Sequence, residues 1–193
     1  MINVAVFASG EGTNAENLFR HFSSSTSVKI KVVVTNNENA GIIKRAEAYK
    51  KNIQIISKSA LYNYTDQIID FLQTEKVDFI ILAGFLLKIP EALVRAFPNR
   101  IINIHPALLP KFGGKGMYGM NVHKAVIEAK EKESGVTVHF VNEEYDKGEH
   151  ILQAKCMIDE NETPESLAKK IHELEYTYFP KAVEIAIKKL HSY

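Results

Sequence analysis

Cysteine is almost absent from this sequence, which limits the kinds of site that the protein can build. A single residue, Cys156, excludes an internal disulfide and a cysteine-rich metal site. An excess of one charge is also absent, because 24 basic residues accompany 23 acidic ones and the formal net charge is +1. Bulk electrostatics therefore give no reason to expect nucleic acid or a membrane surface as a partner. Any anionic ligand must be held by a local site.

Long apolar runs are absent too. None approaches the ~20 residues that a membrane-spanning helix needs, and the first residues follow a strand pattern rather than that of a signal peptide. We therefore expect a cytoplasmic protein. The 193 residues suffice to bury a sizeable core and no linker divides them, so we expect one domain over residues 1–193.

What the sequence does contain is an alternation of short apolar runs and helical patterns. The predicted strands of the first half are Asn3 to Ala8, Lys29 to Thr35, Ile53 to Ile56, Phe79 to Ala83 and Arg100 to Ile104. This alternation predicts an α/β fold with a Rossmann-like, doubly wound and mostly parallel sheet. The short connection between Val136 to Val141 and Ile151 to Ile158 predicts an antiparallel C-terminal strand, followed by a helix.

Polar residues and prolines predict where the helices begin and end. Asn14 and Asn39 are predicted N-caps, and Thr163 is predicted to cap a C-terminal helix whose first residue is Pro164. Pro180 is expected to kink or break that helix, because proline removes a helical hydrogen bond. The other helices are predicted over Tyr64 to Glu75, Pro90 to Phe97 and Asn121 to Lys130.

The segment from Asn103 to Pro110 places an amide and an imidazole at the end of a predicted strand. Asn103 and His105 are two positions apart, so both side chains leave the strand on the same face. Ligands of parallel sheets bind beyond the carboxyl ends of the strands, where both residues lie. A structural histidine, hydrogen-bonded in a turn, is the alternative interpretation of His105.

Two glycine-rich segments flank predicted elements. The loop from Ser9 to Asn14 lies between a strand and a helix, where backbone N–H groups can hold a phosphate. It lacks the third glycine of a dinucleotide fingerprint and the lysine of a P-loop, so a tight turn explains it about as well. Glu11 disfavours an anion there unless its side chain turns outward. The segment from Lys111 to Met120 is interpreted as a mobile loop over the site rather than a phosphate cradle.

Asn103, His105 and a carboxylate from the acidic turn over residues 142–148 would make a plausible acyl-transfer site. The amide can hold a carbonyl oxygen, and an imidazole whose pKa is raised by a nearby carboxylate can donate to the developing oxyanion. The carboxylate can help to move the proton of an amine.

Other chemistries have weaker support. Ser9 does not lie in a nucleophile elbow. His105, His123 and His139 lack the spacing of a metal motif. A metal site formed by these histidines from separate segments of the chain is the alternative. His139 lies alone inside a predicted strand and is interpreted as a packed, hydrogen-bonded residue rather than a catalyst.

Four segments carry a family resemblance. They are SGEGTN at 9–14, AGF at 83–85, NIHPALLPKF at 103–112 and VHFVNEEYDKG at 138–148. Together they resemble the phosphoribosylglycinamide formyltransferase family of purine synthesis, in order and from about residue 2 to residue 180. The HPxLLP core is shared with other formyl-tetrahydrofolate enzymes, whereas the SGxGTN loop favours the purine enzyme among them.

The resemblance implies that the formyl group of N10-formyltetrahydrofolate, a co-substrate, passes directly to the amine of glycinamide ribonucleotide. The intermediate would be tetrahedral and stabilised at its oxyanion. Asn103 matches the residue that orients the carbonyl, His105 the general acid, and Asp146 the carboxylate that raises the pKa of that histidine.

The resemblance also implies binding residues. Those for glycinamide ribonucleotide are Gly12, Thr13 and Asn14 around the phosphate, and Glu175 at the ribose with His172, Glu173 and Leu174 beside it. Those for the folate are Leu86, Leu87, Lys88 and Ile89 around the pterin, together with Asn103, with residues 142–146 closing over it. We expect no metal, no nucleic acid and no membrane as partners, and a monomer or weak homodimer.

The sequence departs from familiar family members at a few positions. Tyr64, Thr65 and Asp66 offer no cation where some members place an arginine for the glutamate tail of the folate. Asn121 stands where a histidine is often found. The loop over residues 112–122, in which it lies, is longer and richer in glycine than in familiar members. Glu11 replaces a residue that is commonly neutral.

Two other functions fit the same residues. A hydrolase would release formate from formyltetrahydrofolate, with water in place of the amine. A sugar-phosphate binding protein would retain the fold without turnover. Formate released without glycinamide ribonucleotide would identify the first, and saturable binding without formyl transfer the second.

Overall fold

The structure is a computed structural model that describes residues 1–190, and the chain divides into two compact units. The first unit comprises Met1–Asn103, and the second begins at Ile104. A single domain over the whole chain stays a prediction.

The first unit is built on a parallel sheet. Its strands are β1 (Ile2–Phe7), β2 (Val28–Thr35), β3 (Asn52–Ile55), β4 (Phe79–Leu82) and the first residues of β5 (Ile101–His105). They lie in the order β3-β2-β1-β4-β5, and every neighbouring pair is parallel. Residues Val4 to Phe7 of β1 are fully buried, as expected for a strand covered on both faces.

Five helices connect these strands. They are α1 (Thr13–His21), α2 (Ile42–Ala48), α3 (Lys58–Asn63), α4 (Thr65–Thr74) and α5 (Glu91–Ala96). The six-residue helix α3 was not predicted; the Ser57 side chain caps it by accepting a hydrogen bond from Ala60 N–H at 3.1 Å.

The predicted asparagine caps are wrong. Helix α1 begins at Thr13, and its N-cap position is Gly12 with a φ of 72°. Helix α2 likewise has a glycine, Gly41, at its N-cap position. The conformations of the two loops, rather than capping side chains, decide where these helices begin, so Asn14 lies inside its helix and Asn39 before its own.

The second unit contains α6 (Met120–Glu128), β6 (Glu133–Phe140), β7 (His150–Met157) and α7 (Pro164–Leu190). The two strands are antiparallel, which confirms the prediction from their short connection. Strand β6 begins earlier than predicted, because Glu133 pairs with Met157. The predicted fold class, mostly parallel with an antiparallel C-terminal strand and helix, is therefore confirmed.

Helix α7 begins as predicted and runs through its proline. Ser166 N–H donates to Thr163 Oγ1 at 3.2 Å, as expected of an N-cap. Pro180 does not end the helix, which continues to Leu190. Buried residues on both sides of the proline, including Phe179 and Val183, supply packing that offsets the lost hydrogen bond. Over residues 1–190, no helix combines the length and apolar character needed to cross a membrane.

Candidate active site

Strand β5 carries Asn103 and His105 at its carboxyl end. Asn103 is half-buried, whereas His105 is only 3% exposed. The next residues are held in place by Thr137 of β6, whose hydroxyl donates to Ala107 O at 2.7 Å and accepts from Leu109 N–H at 3.0 Å. The peptide bond between Leu109 and the following proline is cis.

Both nitrogens of the His105 ring have defined surroundings. Nε2 lies 2.7 Å from the carbonyl oxygen of Phe112, and because a carbonyl only accepts, Nε2 must donate. Nδ1 lies 3.7 Å from Oδ2 of Asp146, within ion-pair distance but too far for a hydrogen bond. Nδ1 is therefore the ring nitrogen that can exchange a proton with a substrate.

Asp146 is held from three directions, and its backbone is unusual. Its φ is 53°, in the left-handed region that side chains other than asparagine and aspartate seldom adopt. Gly114 N–H donates to Oδ2 at 2.8 Å, and Nε2 of His139 lies 3.5 Å from Oδ1. The structure thus places Asp146, the carboxylate that the family resemblance implied, beside His105, and His139 faces the same carboxylate.

The pKa of Asp146 is lowered. Burial of the carboxyl would raise its pKa, but the hydrogen bonds from His139 and Gly114 N–H and the charges of His105 and His139 outweigh this effect. Asp146 is therefore ionised at neutral pH.

The expected pKa shift of His105 is wrong in its net direction. Burial lowers the pKa of this imidazole, and repulsion from His139 lowers it further. Asp146 raises it, as predicted, and so do the Phe112 carbonyl and Glu175, but these effects do not compensate for the burial. His105 is neutral at rest, with its proton on Nε2 and a lone pair on Nδ1.

The glycine-rich loop after β5 contacts this pair through its backbone. It supplies the Phe112 carbonyl to His105 and the Gly114 N–H to Asp146. A Cβ at Gly113 would lie 2.6 Å from Leu109 Cδ2 and 3.2 Å from Cβ of Asp146, so no larger residue fits without displacement. The loop therefore covers one side of the His105 and Asp146 side chains. Its mobility stays a prediction.

The predicted ribose residues lie on α7. Glu175 is 9% exposed, and its Oε2 lies 3.0 Å from Nδ1 of His172. The His172 ring lies 4.3 Å from that of Tyr176. Glu173 is exposed, and Leu174 packs against the apolar core, so these two do not join the pair.

The predicted phosphate loop lies in the first unit, between β1 and α1. Gly12 is buried, and a Cβ there would lie 2.5 Å from Cδ1 and 2.9 Å from Cα of Ile42. Thr13 and Asn14 are the first residues of α1, at the helix end where N–H groups carry partial positive charge. The carboxylate of Glu11 lies close to Gly41, where a Cβ would meet its Oε2 at 2.6 Å.

Sequence reasoning missed the structural role of Ser9. Its hydroxyl donates to Asn36 Oδ1 and accepts from Leu86 N–H at 2.9 Å. Ser9 therefore ties together the loops that follow β1, β2 and β4. The sequence signal for this role was the position of Ser9 directly after the first predicted strand.

The predicted pterin segment follows β4. Leu86 is 54% exposed, Leu87 and Lys88 are half-buried, and Ile89 is buried. Tyr62 OH donates to the Lys88 carbonyl at 3.0 Å, which fixes the segment against α3.

His139 is packed and hydrogen-bonded, as predicted, with Nδ1 2.9 Å from the Phe140 carbonyl, and its Nε2 also faces Asp146. The third histidine of the sequence analysis, His123, is buried on α6, and burial lowers its pKa. No cluster of three or more histidine, cysteine, aspartate or glutamate residues within residues 1–190 is arranged to hold a metal ion.

Known proteins resemble this chain over most of its length. The sequence profile of the formyl transferase family matches residues 2–183. The chloroplastic phosphoribosylglycinamide formyltransferase of Arabidopsis thaliana is 42% identical over 186 residues, which are 93% of this chain but 63% of that protein. The chain thus spans less than two thirds of this relative.

A bacterial relative and a solved structure match with higher mutual coverage. The phosphoribosylglycinamide formyltransferase of Haemophilus influenzae is 35% identical over 95% of this chain and 86% of its own length. The crystal structure of the protein of that name from Anaplasma phagocytophilum matches with a TM-score of 0.88 and 35% identity, covering 97% of this chain and 88% of that one. The chain belongs to the formyl transferase family.

Proposed function

We propose that this protein transfers the formyl group of N10-formyltetrahydrofolate to the amine of glycinamide ribonucleotide. The names of its relatives support this substrate pair. The observation that carries the chemistry is the buried pair of His105 and Asp146, in which Nε2 is committed to the Phe112 carbonyl and Nδ1 is left for proton transfer.

The neutral state of His105 revises its expected role as a general acid. As the amine attacks the formyl carbon, Nδ1 of His105 accepts the proton of the attacking nitrogen, and Asp146 stabilises the imidazolium. The imidazolium then donates that proton to N10 of the leaving tetrahydrofolate as the C–N10 bond breaks. His105 is thus a base first and an acid second. Asn103 holds the carbonyl oxygen on which negative charge develops.

The binding roles follow from local surroundings. The loop at Gly12, Thr13 and Asn14 holds the phosphate, since it lies at the start of α1, where backbone N–H groups carry partial positive charge. Glu175 is buried and paired with His172, and it accepts hydrogen bonds from the ribose hydroxyls.

The exposed apolar Leu86 and the backbone next to it receive the pterin. Residues 142–146 close over the folate. The protein acts in the cytoplasm, as the lone cysteine and the purine-synthesis role suggest, and it acts as a monomer or weak homodimer.

The test is an assay that follows loss of the formyl group from N10-formyltetrahydrofolate with and without glycinamide ribonucleotide. We expect turnover only when the ribonucleotide is present, with formylglycinamide ribonucleotide as the product. Formate release that does not depend on the ribonucleotide would instead identify a hydrolase. Saturable binding of the ribonucleotide without transfer would identify a binding protein.

A further inference from the structure

The loop that follows β1 is attached to helix α2 through two successive carbonyl groups. Ile42 N–H donates to Gly10 O at 3.1 Å, and Nε of Arg45 donates to Glu11 O at 2.7 Å. Nη1 of Arg45 also forms an ion pair with the carboxylate of Glu16 on α1. Arg45 therefore connects α2 both to the loop and to the helix that follows the loop.

The directions of these two carbonyls determine where the N–H groups of the loop point. The peptide bonds on either side of Glu11 are trans, and the C=O and N–H of a planar trans peptide point in opposite directions. Because Gly10 O and Glu11 O face α2, the N–H groups of Glu11 and Gly12 face away from it. Neither N–H donates to another group within residues 1–190. Gly12 has a φ of 72°, the left-handed conformation found where successive N–H groups form a concave site for an anion.

The charge of Arg45 is balanced by its neighbours. Its guanidinium is paired with Glu16, and the carboxylate of Glu11 is also turned toward α2, where a Cβ on Gly41 would lie 2.6 Å from its Oε2. One cation thus accompanies two carboxylates, so these three side chains together do not attract an anion. What Arg45 can give to a bound phosphate is therefore the direction of the N–H groups rather than an excess of positive charge.

We propose that Arg45 is a positioning residue for the phosphate of glycinamide ribonucleotide: it holds Glu11 O against α2 and thereby aims the N–H of Gly12 at the phosphate. The proposal rests on the function proposed above, which assigns the phosphate to this loop. Arg45 acts through the loop, because its Nε and Nη1 are committed to Glu11 and Glu16. Without the guanidinium, the peptide between Glu11 and Gly12 can rotate, since glycine permits many backbone conformations, and its carbonyl oxygen would then repel the phosphate.

The first experiment replaces Arg45 with methionine, which keeps much of the aliphatic stem and removes the guanidinium. We expect the KM for glycinamide ribonucleotide to rise by roughly 10- to 100-fold, the range that a hydrogen bond to a charged group supports, with kcat within about threefold of the wild type. Lys44→Met is the matched control, because it removes the same charge from the neighbouring, exposed position of α2. An equal rise of KM in both variants would show an effect of charge alone and overturn the proposal.

A substrate without the phosphate separates positioning from a merely structural role. The ratio of kcat/KM for glycinamide ribonucleotide to kcat/KM for glycinamide riboside measures what the phosphate contributes. We expect this ratio to fall in Arg45→Met, while kcat/KM for the riboside stays at the wild-type value. A structural defect would lower kcat/KM for both substrates by the same factor. An unchanged ratio in a folded variant would contradict the role given to Arg45.

NMR of the wild-type chain keeps the proposal testable if Arg45→Met fails to fold. When inorganic phosphate is added, we expect the amide signal of Gly12 to move and the Nε–H signal of Arg45, which stays bonded to Glu11 O, to move less. A Gly12 signal that does not move, or a larger shift of the Arg45 signal, would overturn the proposal. This measurement needs no turnover, so a chain that responded to phosphate in the expected way but transferred no formyl group would refute only the proposed reaction.

Discussion

Replacing Asp146 with asparagine would remove a charge while nearly preserving the shape of the side chain. Asparagine also tolerates the left-handed backbone at this position, where φ is 53°. Its amide oxygen can still accept the Gly114 N–H that now reaches Oδ2 at 2.8 Å. The change therefore tests the charge of Asp146 with little disturbance of the fold.

The distance between the two groups sets the size of the effect. At 3.7 Å and an effective dielectric constant of about 20, a carboxylate stabilises an imidazolium by about 4 kcal/mol. In the proposed reaction this imidazolium forms as His105 takes the proton of the amine. Replacing Asp146 therefore raises the activation free energy of formyl transfer by the stabilisation that the imidazolium loses. About 4 kcal/mol corresponds to roughly 10³-fold in rate. Because the Asp146 side chain is 12% exposed, solvent screens part of the interaction, and we expect kcat to fall by about 10²- to 10³-fold.

The assay is steady-state formyl transfer at pH 7.5 with both substrates saturating, together with the KM for glycinamide ribonucleotide. The phosphate and ribose contacts proposed for that substrate do not involve Asp146, so its KM should change by less than about threefold. A urea unfolding curve checks that the variant is folded. A folded Asp146→Asn protein with kcat within tenfold of the wild type would refute the role given to this carboxylate.

Three further predictions follow from the geometry. Gly12→Ala should destabilise the fold by about 1–3 kcal/mol, because the new Cβ meets Ile42 at 2.5 Å in a left-handed backbone; Gly10→Ala, with no atom within 4 Å of its Cβ, should be tolerated in the same urea titration. Thr137→Val should cost about 2–3 kcal/mol of unfolding free energy, because it leaves the buried polar groups of the loop after β5 unpaired. The lowered pKa of His105 means that the unfolded chain binds a proton before the folded one, so the free energy of unfolding should fall as the pH drops below 6.5, measured by urea midpoints, and fall less in His105→Asn.

Much of the fold could be predicted because its signals are local. Strand β4 is apolar throughout, since both faces are covered, and the short connection before β7 leaves no room for a crossover helix. Helix α3 could not be predicted, because six residues show too little periodicity and only Ser57 marks its start. The asparagine caps failed because Gly12 and Gly41 occupy the capping positions, and this choice depends on contacts between distant loops.

Some features of the candidate site could be predicted from local sequence, whereas others depend on the folded chain. Asn103 and His105 share a strand, so their spacing alone places them on one face. Asp146 was assigned through family resemblance. The effect of Asp146 on the pKa of His105 was predicted correctly but the net direction was not, because neighbouring charges can be inferred from sequence whereas the degree of burial depends on the folded core.

The contact between His139 and Asp146 shows where a local signal was overlooked. The two residues are close in sequence, and β6 ends at Phe140 between them. The chain returns tightly to that strand end, since Phe140 N–H donates to Glu149 O at 2.9 Å and a Cβ at Gly148 would lie 1.7 Å from Phe140 O. Only glycine permits so close a return, which carries Asp146 back to the strand that holds His139. Gly148 therefore marks the tight return of the chain in the sequence, whereas the side chain that the carboxylate meets depends on the folded strand.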